Sequence, residues 1–358
     1  HLSSSQVQWV QESYVLVFAA LLLVWGSIAD RFGRRRILLI GIVLFIFASV
    51  WASFATSDVT LIIARIEQGI GGAMVLPTTL ALVNSNFQGK ERGIAFAVWG
   101  STIGGMVAVG PVLGGWLATS FGDDGWRLAF NINLPIGVVV LAGLAFWAKE
   151  SRQEHKEKGI DVLGAILSVI MFSTLVFGLI EGRVYGWWEV NEKNPFVLGD
   201  FKWATSGISI IPVALAISAV SFVAFFFYER FRAKRNLSVL LDLDVFKVAS
   251  FRNGSIAALI ISMGEFGILF AIPLWLQNVL GLTPISSGLV LLWLAGGSFL
   301  ASGIAGGMSG KVSPAVLVRA GVALELIGVL GVALFASAEV GFWSIVPFLF
   351  VYGIGIGL

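Results

Sequence analysis

The segment that decides the fold is residues 13–50, which read SYVLVFAALLLVWGSIADRFGRRRILLIGIVLFIFASV. Two apolar runs flank a short charged block, and each run is close to the roughly 20 residues that a helix needs to cross hydrocarbon. Neither run alternates apolar and polar residues, as a strand with one wet face would. The segment therefore predicts two membrane-spanning helices that meet in a turn of only a few residues.

The same pattern recurs along the whole chain. Of its 358 residues, 57% are hydrophobic and 12% are charged, whereas about a quarter of the residues of a soluble domain are charged. Eleven apolar segments cover residues 6–28, 36–54, 61–86, 94–119, 127–148, 160–182, 206–229, 251–276, 285–310, 315–337 and 341–358. We therefore predict an all-α polytopic membrane protein. A membrane β-barrel is excluded, because its strands would alternate.

The charges between these segments predict the orientation of the chain. Eighteen lysines and arginines fall in one alternating set of loops and four in the other. By the positive-inside rule, the rich set is cytoplasmic. The first segment then runs from outside to inside, so a cytoplasmic amino terminus would require one further helix before His1.

The residue types that are absent narrow the function. The chain has no cysteine, and its two histidines, His1 and His155, lie at the start and in a charged linker. We therefore expect no metal site and no cofactor, and a membrane enzyme is disfavoured. No glycine-rich loop ends in Lys-Ser or Lys-Thr, which argues against direct ATP drive. The net charge of +2 gives no reason to expect a nucleic-acid partner.

A weak internal repeat relates the two ends of the chain. A shift of 280 residues superposes three pairs of like residues, which are Gly26 on Gly306, Arg31 on Lys311 and Gly41 on Gly321. Repeated halves are common in secondary transporters, whose substrate site lies between them near the bilayer midplane. If the repeat holds, segment 251–276 is the counterpart of the helix expected before His1.

The charged block of the first turn contains residues that a simple basic loop would not require. Gly33 can adopt a positive φ at the tight turn. Asp30 can accept hydrogen bonds from the arginines or from a facing helix N-terminus. Such a cluster can latch two helical bundles on the cytoplasmic side and break when they rock. The alternative is a purely topogenic loop, for which the four arginines would suffice.

This block carries a resemblance to a known family. Gly26-Ser-Ile-Ala-Asp30-Arg31-Phe-Gly33-Arg34-Arg35-Arg36 resembles the signature loop between the second and third helices of the major facilitator superfamily. Residues 65–72, RIEQGIGG, resemble the fourth-helix motif of its drug:proton antiporter branch. Residues 110–115, GPVLGG, resemble the core of the fifth-helix antiporter motif, although Met106 stands where that motif has a glycine. Residues 273–284, PLWLQNVLGLTP, resemble the ninth-to-tenth helix turn of the fourteen-helix branch.

The resemblance implies a major facilitator fold, with two pseudo-symmetric helical bundles and two inserted helices. Its expected parts are an N-terminal bundle of family helices 2 to 6 (1–148), a cytoplasmic linker (149–159), two inserted transmembrane helices (160–229), a cytoplasmic amphipathic linker (230–250) and an incomplete C-terminal bundle of family helices 9 to 12 (251–358). One helix before His1 and two after Leu358 would make fourteen, so the chain is expected to be truncated at both ends.

The resemblance also implies a function. We expect a monomeric, proton-coupled antiporter in a prokaryotic plasma membrane, which exports lipophilic, often cationic drugs or antibiotics by alternating access. Its partners would be a small organic substrate, protons and the lipid bilayer. A dedicated exporter of one metabolite, amino acid or lipid precursor is the alternative, and a transporter-like sensor is a more distant one.

Ionisable residues within the apolar segments are the candidates for proton coupling. Glu265 lies near the middle of segment 251–276, where a carboxylate is disfavoured as an anion, so it can hold a proton or exchange it for a cation. The alternative is a neutral, hydrogen-bonded structural acid. Arg65 faces either a cavity or the outer interface, and the resemblance implies a coupling role for it. Glu67 is a further candidate through its place in the same motif.

The remaining candidates follow from the resemblance and from position. A gating or conformational role is implied for Gly26, Asp30, Arg31, Gly33, Arg34, Gly110, Pro111, Gly114 and Gly115. Candidates for the substrate cavity are Gln68, Phe266, Phe270, Trp275 and Glu12, since aromatic rings suit organic cations. Glu325 is as central as Glu265, but the family geometry makes its helix peripheral, so a structural role is favoured. Glu12 and Glu181 lie near the outer ends of their segments.

Overall fold

The computed structural model describes residues 4–152, 160–198, 201–308, 311–337, 339 and 341–358. Within these residues the chain forms twelve α-helices. They are α1 (Ser4–Phe32), α2 (Arg34–Ser53), α3 (Asp58–Asn86), α4 (Gly89–Phe121), α5 (Gly125–Asn131), α6 (Asn133–Trp147), α7 (Val162–Tyr185), α8 (Ile210–Lys234), α9 (Ala249–Asn278), α10 (Pro284–Met308), α11 (Pro314–Phe335) and α12 (Val346–Gly357).

All eleven predicted segments contain helix, and the all-α polytopic fold class is confirmed. Segment 127–148 is divided at Ile132 into α5 and α6. Among the described residues, nine spans are long and apolar enough to cross a membrane, with α5 and α6 counted as one. Two shorter apolar stretches, Val112–Phe121 within α4 and Val346–Gly357, complete the set.

A small hairpin in the outer loop between α7 and α8 was not predicted. Strand β1 (Val197–Leu198) pairs with β2 (Phe201–Lys202) in antiparallel register. The indole of Trp203 donates a hydrogen bond to the carbonyl oxygen of Ile208 at 2.9 Å, whereas Trp188 is exposed. The loop therefore has a structure of its own and carries indole rings at the end of two membrane-spanning helices, where such rings are enriched.

The helices form two compact units, and each is described by itself. Unit 1 consists of His1–Leu82 and Phe130–Val248, and unit 2 consists of Val83–Ala129 and Ala249–Leu358. Helix α4 thus groups with the C-terminal helices, whereas the sequence placed residues 1–148 in one bundle. The predicted boundaries between bundles, linkers and inserted helices remain a prediction.

In unit 1, glycines bring helices into close contact. A Cβ on Gly41 of α2 would lie 3.1 Å from the carbonyl oxygen of Gly71 on α3. Small residues of this kind let helices approach where lipid offers no hydrophobic drive for association. Helix α7 packs on both α1 and α8, and α6 packs on α2. The pair α7 and α8 is therefore joined to the first helix of the unit.

In unit 2, α10 is the central helix. It packs on α4 on one side and on α12 on the other. The buried core contains Leu276 of α9, Leu291 and Leu294 of α10, and Leu349 and Tyr352 of α12. Helix α11 packs on α12. The carbonyl oxygen of Gly355 on α12 would lie 2.8 Å from a Cβ on Gly321 of α11, so the repeat partners Gly41 and Gly321 both mark close helix crossings.

Candidate functional site

The first turn is shaped by Gly33 and closed by a carboxylate from a distant part of the chain. Helix α1 ends at Phe32 and α2 begins at Arg34, so one residue makes the turn, and Gly33 has the predicted positive φ of 114°. The Glu150 carboxylate accepts hydrogen bonds from the backbone N–H groups of Arg35 at 3.0 Å and Arg36 at 3.2 Å. An anion at this helix N-terminus is favoured by the helix dipole. The sequence offered Asp30 for such a role, and Glu150 fills it.

Arg34 links three parts of unit 1. Its guanidinium pairs with Asp30 at 2.6 Å, donates to the hydroxyl of Ser151 at 3.3 Å and approaches the carbonyl oxygen of Ala81 on α3 at 3.5 Å. Its backbone N–H donates to the Ser151 carbonyl oxygen at 3.0 Å. The turn is therefore fixed to the end of α6 and to α3. The predicted latch between bundles, with Gly26 and Arg31 among its residues, remains a prediction.

Arg65 lies in a polar network inside unit 1. Its Nε donates to the Val10 carbonyl oxygen at 3.0 Å, and Nη1 donates to Oε1 of Gln68 at 2.5 Å. The amide of Gln68, which is buried, donates in turn to Ser49 Oγ at 2.6 Å. The guanidinium also lies 4.3 Å from the centre of the Tyr14 ring, within cation–π range. Arg65 thus has protein partners on α1 and α3.

Gln68 is the residue of the 65–72 motif that contacts Arg65. Residues at i and i+3 are neighbours on a helix surface, and these two form a hydrogen bond. Glu67 does not join the network. One of its carboxylate oxygens is buried and has no hydrogen-bond partner within the described part of the chain.

Two carboxyl groups, one on α1 and one on α7, lie beside each other. They belong to Glu12 and Glu181, and Glu181 is 2% exposed. Two neighbouring carboxyl groups can share a hydrogen bond when one of them carries a proton. Sequence analysis placed both near outer helix ends but could not pair them, since they are far apart in the chain. Proximity of α1 and α7 was the missing information.

The glycines of residues 110–115 differ in their surroundings. A Cβ on Gly115 would lie 2.8 Å from the backbone nitrogen of Ile285, so α4 meets the start of α10 here. Gly288 of α10 packs equally closely on the backbone of Val112. Around Gly110 and Gly114 there is open space. The side chain of Pro111 lies outside the described residues.

A cleft lies between α4 and α10 further along unit 2. Its volume is about 410 Å³, and Val98, Phe299, Ser302 and Gly303 are among the residues that line it. The predicted cavity residues do not line it. Phe266 and Phe270 are about 70% exposed on α9, and Trp275 packs against the core of unit 2. The assignment of these three to a substrate cavity remains a prediction.

Glu265 is half-buried in the middle of α9. It lies on the helix stripe that continues to Ile272 and Leu276, which are buried in the core of unit 2. Residues separated by seven and eleven positions share one face of a helix. The carboxyl group is therefore directed to the protein side of α9, away from the exposed Phe266. A role in proton coupling remains a prediction.

A second buried cluster holds the segment after α8. Glu229 lies beside the side chain of Asp161, and its carboxylate accepts a hydrogen bond from the Leu240 N–H at 3.1 Å. Arg232 lies 3.5 Å from Asp161 and donates to the Ser238 carbonyl oxygen at 2.7 Å. The predicted amphipathic stretch is therefore a turn tied to α7 and α8. It contains one short 3-10 helix, Leu243–Lys247, where the neighbouring Lys247 lowers the pKa of Asp244.

The sequence profile of the Major Facilitator Superfamily matches residues 1–358. The chain belongs to this superfamily. Family membership and the apolar helices make it a multi-pass plasma-membrane protein.

Similar proteins come from bacteria. The probable actinorhodin transporter of Streptomyces coelicolor is 32% identical over 99% of this chain and 59% of its own length. The tetracenomycin C resistance and export protein of Streptomyces glaucescens is 29% identical over 88% of the chain and 54% of its own length. The multidrug resistance protein Stp of Mycobacterium tuberculosis is 31% identical over 90% of the chain and 56% of its own length. The chain thus spans little more than half the length of these relatives.

A solved structure supports the fold. The proton:xylose symporter XylE, bound to 6-bromo-6-deoxy-D-glucose, superposes with a TM-score of 0.60. The match covers 100% of this chain and 72% of that protein, at 16% sequence identity. At this identity the likeness concerns the fold alone, and it agrees with the predicted major facilitator architecture.

Proposed function

We propose that the protein is a proton-coupled exporter of lipophilic organic compounds, many of them cationic, and that it belongs to the fourteen-helix drug:proton antiporter branch. The similar proteins are named for antibiotic transport, resistance and export. Along the chain, α7 and α8 follow α1–α6 and precede α9–α12. This is the place in the sequence where the fourteen-helix branch inserts two helices, which supports the assignment.

One observation carries the proton coupling. Along the first turns of α1, Val10 and Tyr14 contact the Arg65 guanidinium, and Glu12 lies beside Glu181. A fixed positive charge and a pair of carboxyl groups thus lie within apolar helices. Ionisable groups at such depth are expensive, by about 2.5–3.5 kcal/mol on insertion scales, and typically mark ion pathways. Arg65, Glu67 and Glu265 are the groups that we assign to coupling.

The proposed cycle is alternating access. Protons enter from outside and bind to carboxyl groups, and their release on the cytoplasmic side permits binding of an organic cation to the same groups. The membrane potential adds about 2.3 kcal/mol per net charge per 100 mV. The cation–π and polar contacts of Arg65 orient the guanidinium near the outer end of α3, where its charge favours proton loss from nearby carboxyls.

Coupled transport by the full-length protein in proteoliposomes tests the proposal. An imposed pH gradient should drive ethidium against its concentration gradient, and added ethidium should release protons from the protein. Glu265→Gln should reduce coupled transport at least ten-fold, and Arg65→Lys should reduce it as well, because a lysine cannot make the same two hydrogen bonds and ring contact. Glu189→Gln removes an exposed carboxylate in the outer loop and serves as the control.

Two results would contradict the proposal. If ethidium moves no protons through the wild-type protein, the antiport mechanism is wrong. If coupled transport survives Glu265→Gln unchanged, the mechanism stands and the assignment of Glu265 is wrong.

A further inference from the structure

A buried tyrosine in unit 2 has no partner for its hydroxyl. Tyr352 of α12 is 1% exposed, and its hydroxyl makes no hydrogen bond within the described residues. A buried hydroxyl without a partner is costly, so such groups in a native protein call for an explanation. Tyr352 belongs to the same core as Ile272 and Leu276, which lie on the Glu265 stripe of α9.

Glu325 reaches the same place from α11. The stripe of α11 that faces α12 consists of Gly321, Gly328 and Gly331, which are all buried, and Glu325 lies on it. A Cβ on Gly355 would lie 2.7 Å from the Cγ of Glu325. The side chain of Glu325 is therefore directed at α12. The structural role favoured for Glu325 from the sequence remains a prediction.

Tyr352 and the two glutamates are close enough to influence one another. Gly328 of α11, one turn after Glu325, packs on the Cβ of Tyr352. Charge on Glu265 acts on both Glu325 and Tyr352, and charge on Glu325 acts on Tyr352. Neither carboxyl group forms an ion pair within the described part of the chain. Burial acts on both groups, and the charge of Glu265 also acts on Glu325.

Among the described helices of unit 2, none places a lysine or arginine beside the two acids. Helix α10 carries no ionisable residue at all, and the charged residues of α4 lie in its first turn. Arg252 is at the start of α9, and Arg319 is nearly two turns before Glu325 on α11. Two carboxylates in apolar surroundings without a cation repel each other, so both groups are stable together when they carry protons.

We propose that Glu265, Glu325 and Tyr352 form one two-proton site near the middle of unit 2. This inference rests on the proposed function and deepens it, since Glu265 is the coupling acid there. With both carboxyls protonated the site is neutral. When the first proton leaves, the Tyr352 hydroxyl can donate a hydrogen bond to the new carboxylate. When both have left, the site holds two negative charges and suits an organic cation.

The stoichiometry follows from the charges. Exchange of two protons for one monovalent cation moves one net positive charge inward, whereas exchange of one proton moves none. A potential of 100 mV can support an accumulation ratio on the order of fifty-fold per net charge. With equal pH on both sides, the potential alone should therefore drive export only if both glutamates exchange protons.

Transport of tetraphenylphosphonium by the full-length protein tests this step. In wild-type proteoliposomes at equal pH, an interior-positive potential should drive its accumulation, because two protons leave for each cation that enters and one net positive charge moves out. Glu325→Gln should abolish this potential-driven accumulation and retain at least part of the accumulation driven by a pH gradient. Glu339→Gln removes an exposed carboxylate outside the site and should behave as the wild type. Potential-driven transport by Glu325→Gln at the wild-type level would overturn the proposal.

Infrared difference spectra recorded during a pH titration test the site without any substrate. Two protonated carboxyl bands should titrate together over a broadened pH range in the wild-type protein, because interacting sites titrate as a pair. Glu325→Gln should remove one carboxyl band and narrow the pH range over which the other band titrates. Tyr352→Phe, which keeps both acids and the shape of the ring, should shift a carboxyl band in frequency.

The two readouts separate the possible failures. Unchanged spectra in both variants would overturn the two-proton site even if coupled transport is intact. If the two carboxyl bands titrate together but the protein moves no protons with substrate, the two-proton site is supported and the proposed antiport is contradicted.

Discussion

Gly33 shows how one residue sets the geometry of the first turn. Its φ of 114° and ψ of 122° are open to glycine, and a Cβ there would lie 2.9 Å from the Glu150 carboxylate. Gly33→Ala should therefore lower stability by about 1–3 kcal/mol from backbone strain and more from the contact with Glu150. Thermal unfolding of the full-length protein in detergent measures this. Gly281→Ala, at φ 66° in open space, is the control and should cost less.

The two contributions at Gly33 can be separated. In the double variant Gly33→Ala with Glu150→Ala, the contact with the carboxylate is absent and only the backbone strain and the lost helix-terminal hydrogen bonds remain. The double variant should therefore be more stable than the sum of the two single changes predicts. If the stability changes of the two single variants add up to that of the double variant, the alanine side chain does not clash with Glu150.

Local residue patterns were predictable from the sequence, and long-range partners were not. The positive φ of Gly33 was predicted, because a tight turn restricts the backbone of the residue that makes it. Glu150 was not, because it reaches Arg35 from 115 positions away. The carboxyl pair of Glu12 and Glu181 was missed for the same reason, since helix periodicity gives the face of a residue and says nothing about which helix it meets.

The contact between helices α4 and α10 depends on Gly115, which lies where α4 crosses the start of α10. A Cβ at Gly115 would meet the backbone of Pro284 and Ile285 at 2.8–2.9 Å, and backbone atoms cannot move aside as a flexible side chain can. Gly115→Ala should cost about 1–3 kcal/mol through overpacking. Gly114→Ala is the matched control, with open space around it, and should be neutral or slightly stabilising because alanine favours helix.

The thermal unfolding temperatures of the two alanine variants measure this difference. A lower unfolding temperature for Gly115→Ala alone supports a tight helix crossing. Equal values for Gly114→Ala and Gly115→Ala would contradict it.

The segment after α8 is held to the helix ends by Arg232. This side chain bridges Asp161 and the Ser238 carbonyl oxygen, so Arg232→Ala should release residues 236–242 from α7 and α8. Trypsin should then cleave after Lys234 and Arg235 several times faster. Arg230→Ala is the control, because the Arg230 side chain is exposed and its aromatic contact is with Phe226, a residue of the same helix. Equal cleavage rates in both variants would show that Arg232 does not restrain the segment.

Helix boundaries were easier to predict than the connections between helices. The eleven apolar segments all became helix because apolar length alone requires it in hydrocarbon. The break at Ile132 and the hairpin of β1 and β2 depend on contacts of a few residues. The linker after α8 was predicted as amphipathic from composition, whereas its turn is decided by Glu229 and Arg232, which lie on another element.

At the scale of the whole molecule, loop charge is the property that orients the chain. The basic turn between α1 and α2 and the acidic or neutral turns on the opposite side follow one alternation through all the spans. An inverted chain would place eighteen basic residues on the outer face, against the positive-inside rule. Orientation matters for the proposed function, because the side from which protons enter decides whether a coupled transporter exports its substrate.

The absence of cysteine from the sequence makes this orientation directly measurable. Ser57→Cys, in the turn between α2 and α3, and Asn194→Cys, in the loop between α7 and α8, should react with a membrane-impermeant maleimide on intact cells. Gln88→Cys, between α3 and α4, should react only after permeabilisation. All three positions are exposed, so access to reagent is limited by the membrane alone. Labelling of Gln88→Cys on intact cells, with Ser57→Cys protected, would invert the topology and with it the proposed direction of transport. Protection of Asn194→Cys alone would show that α7 and α8 do not cross the bilayer as a pair.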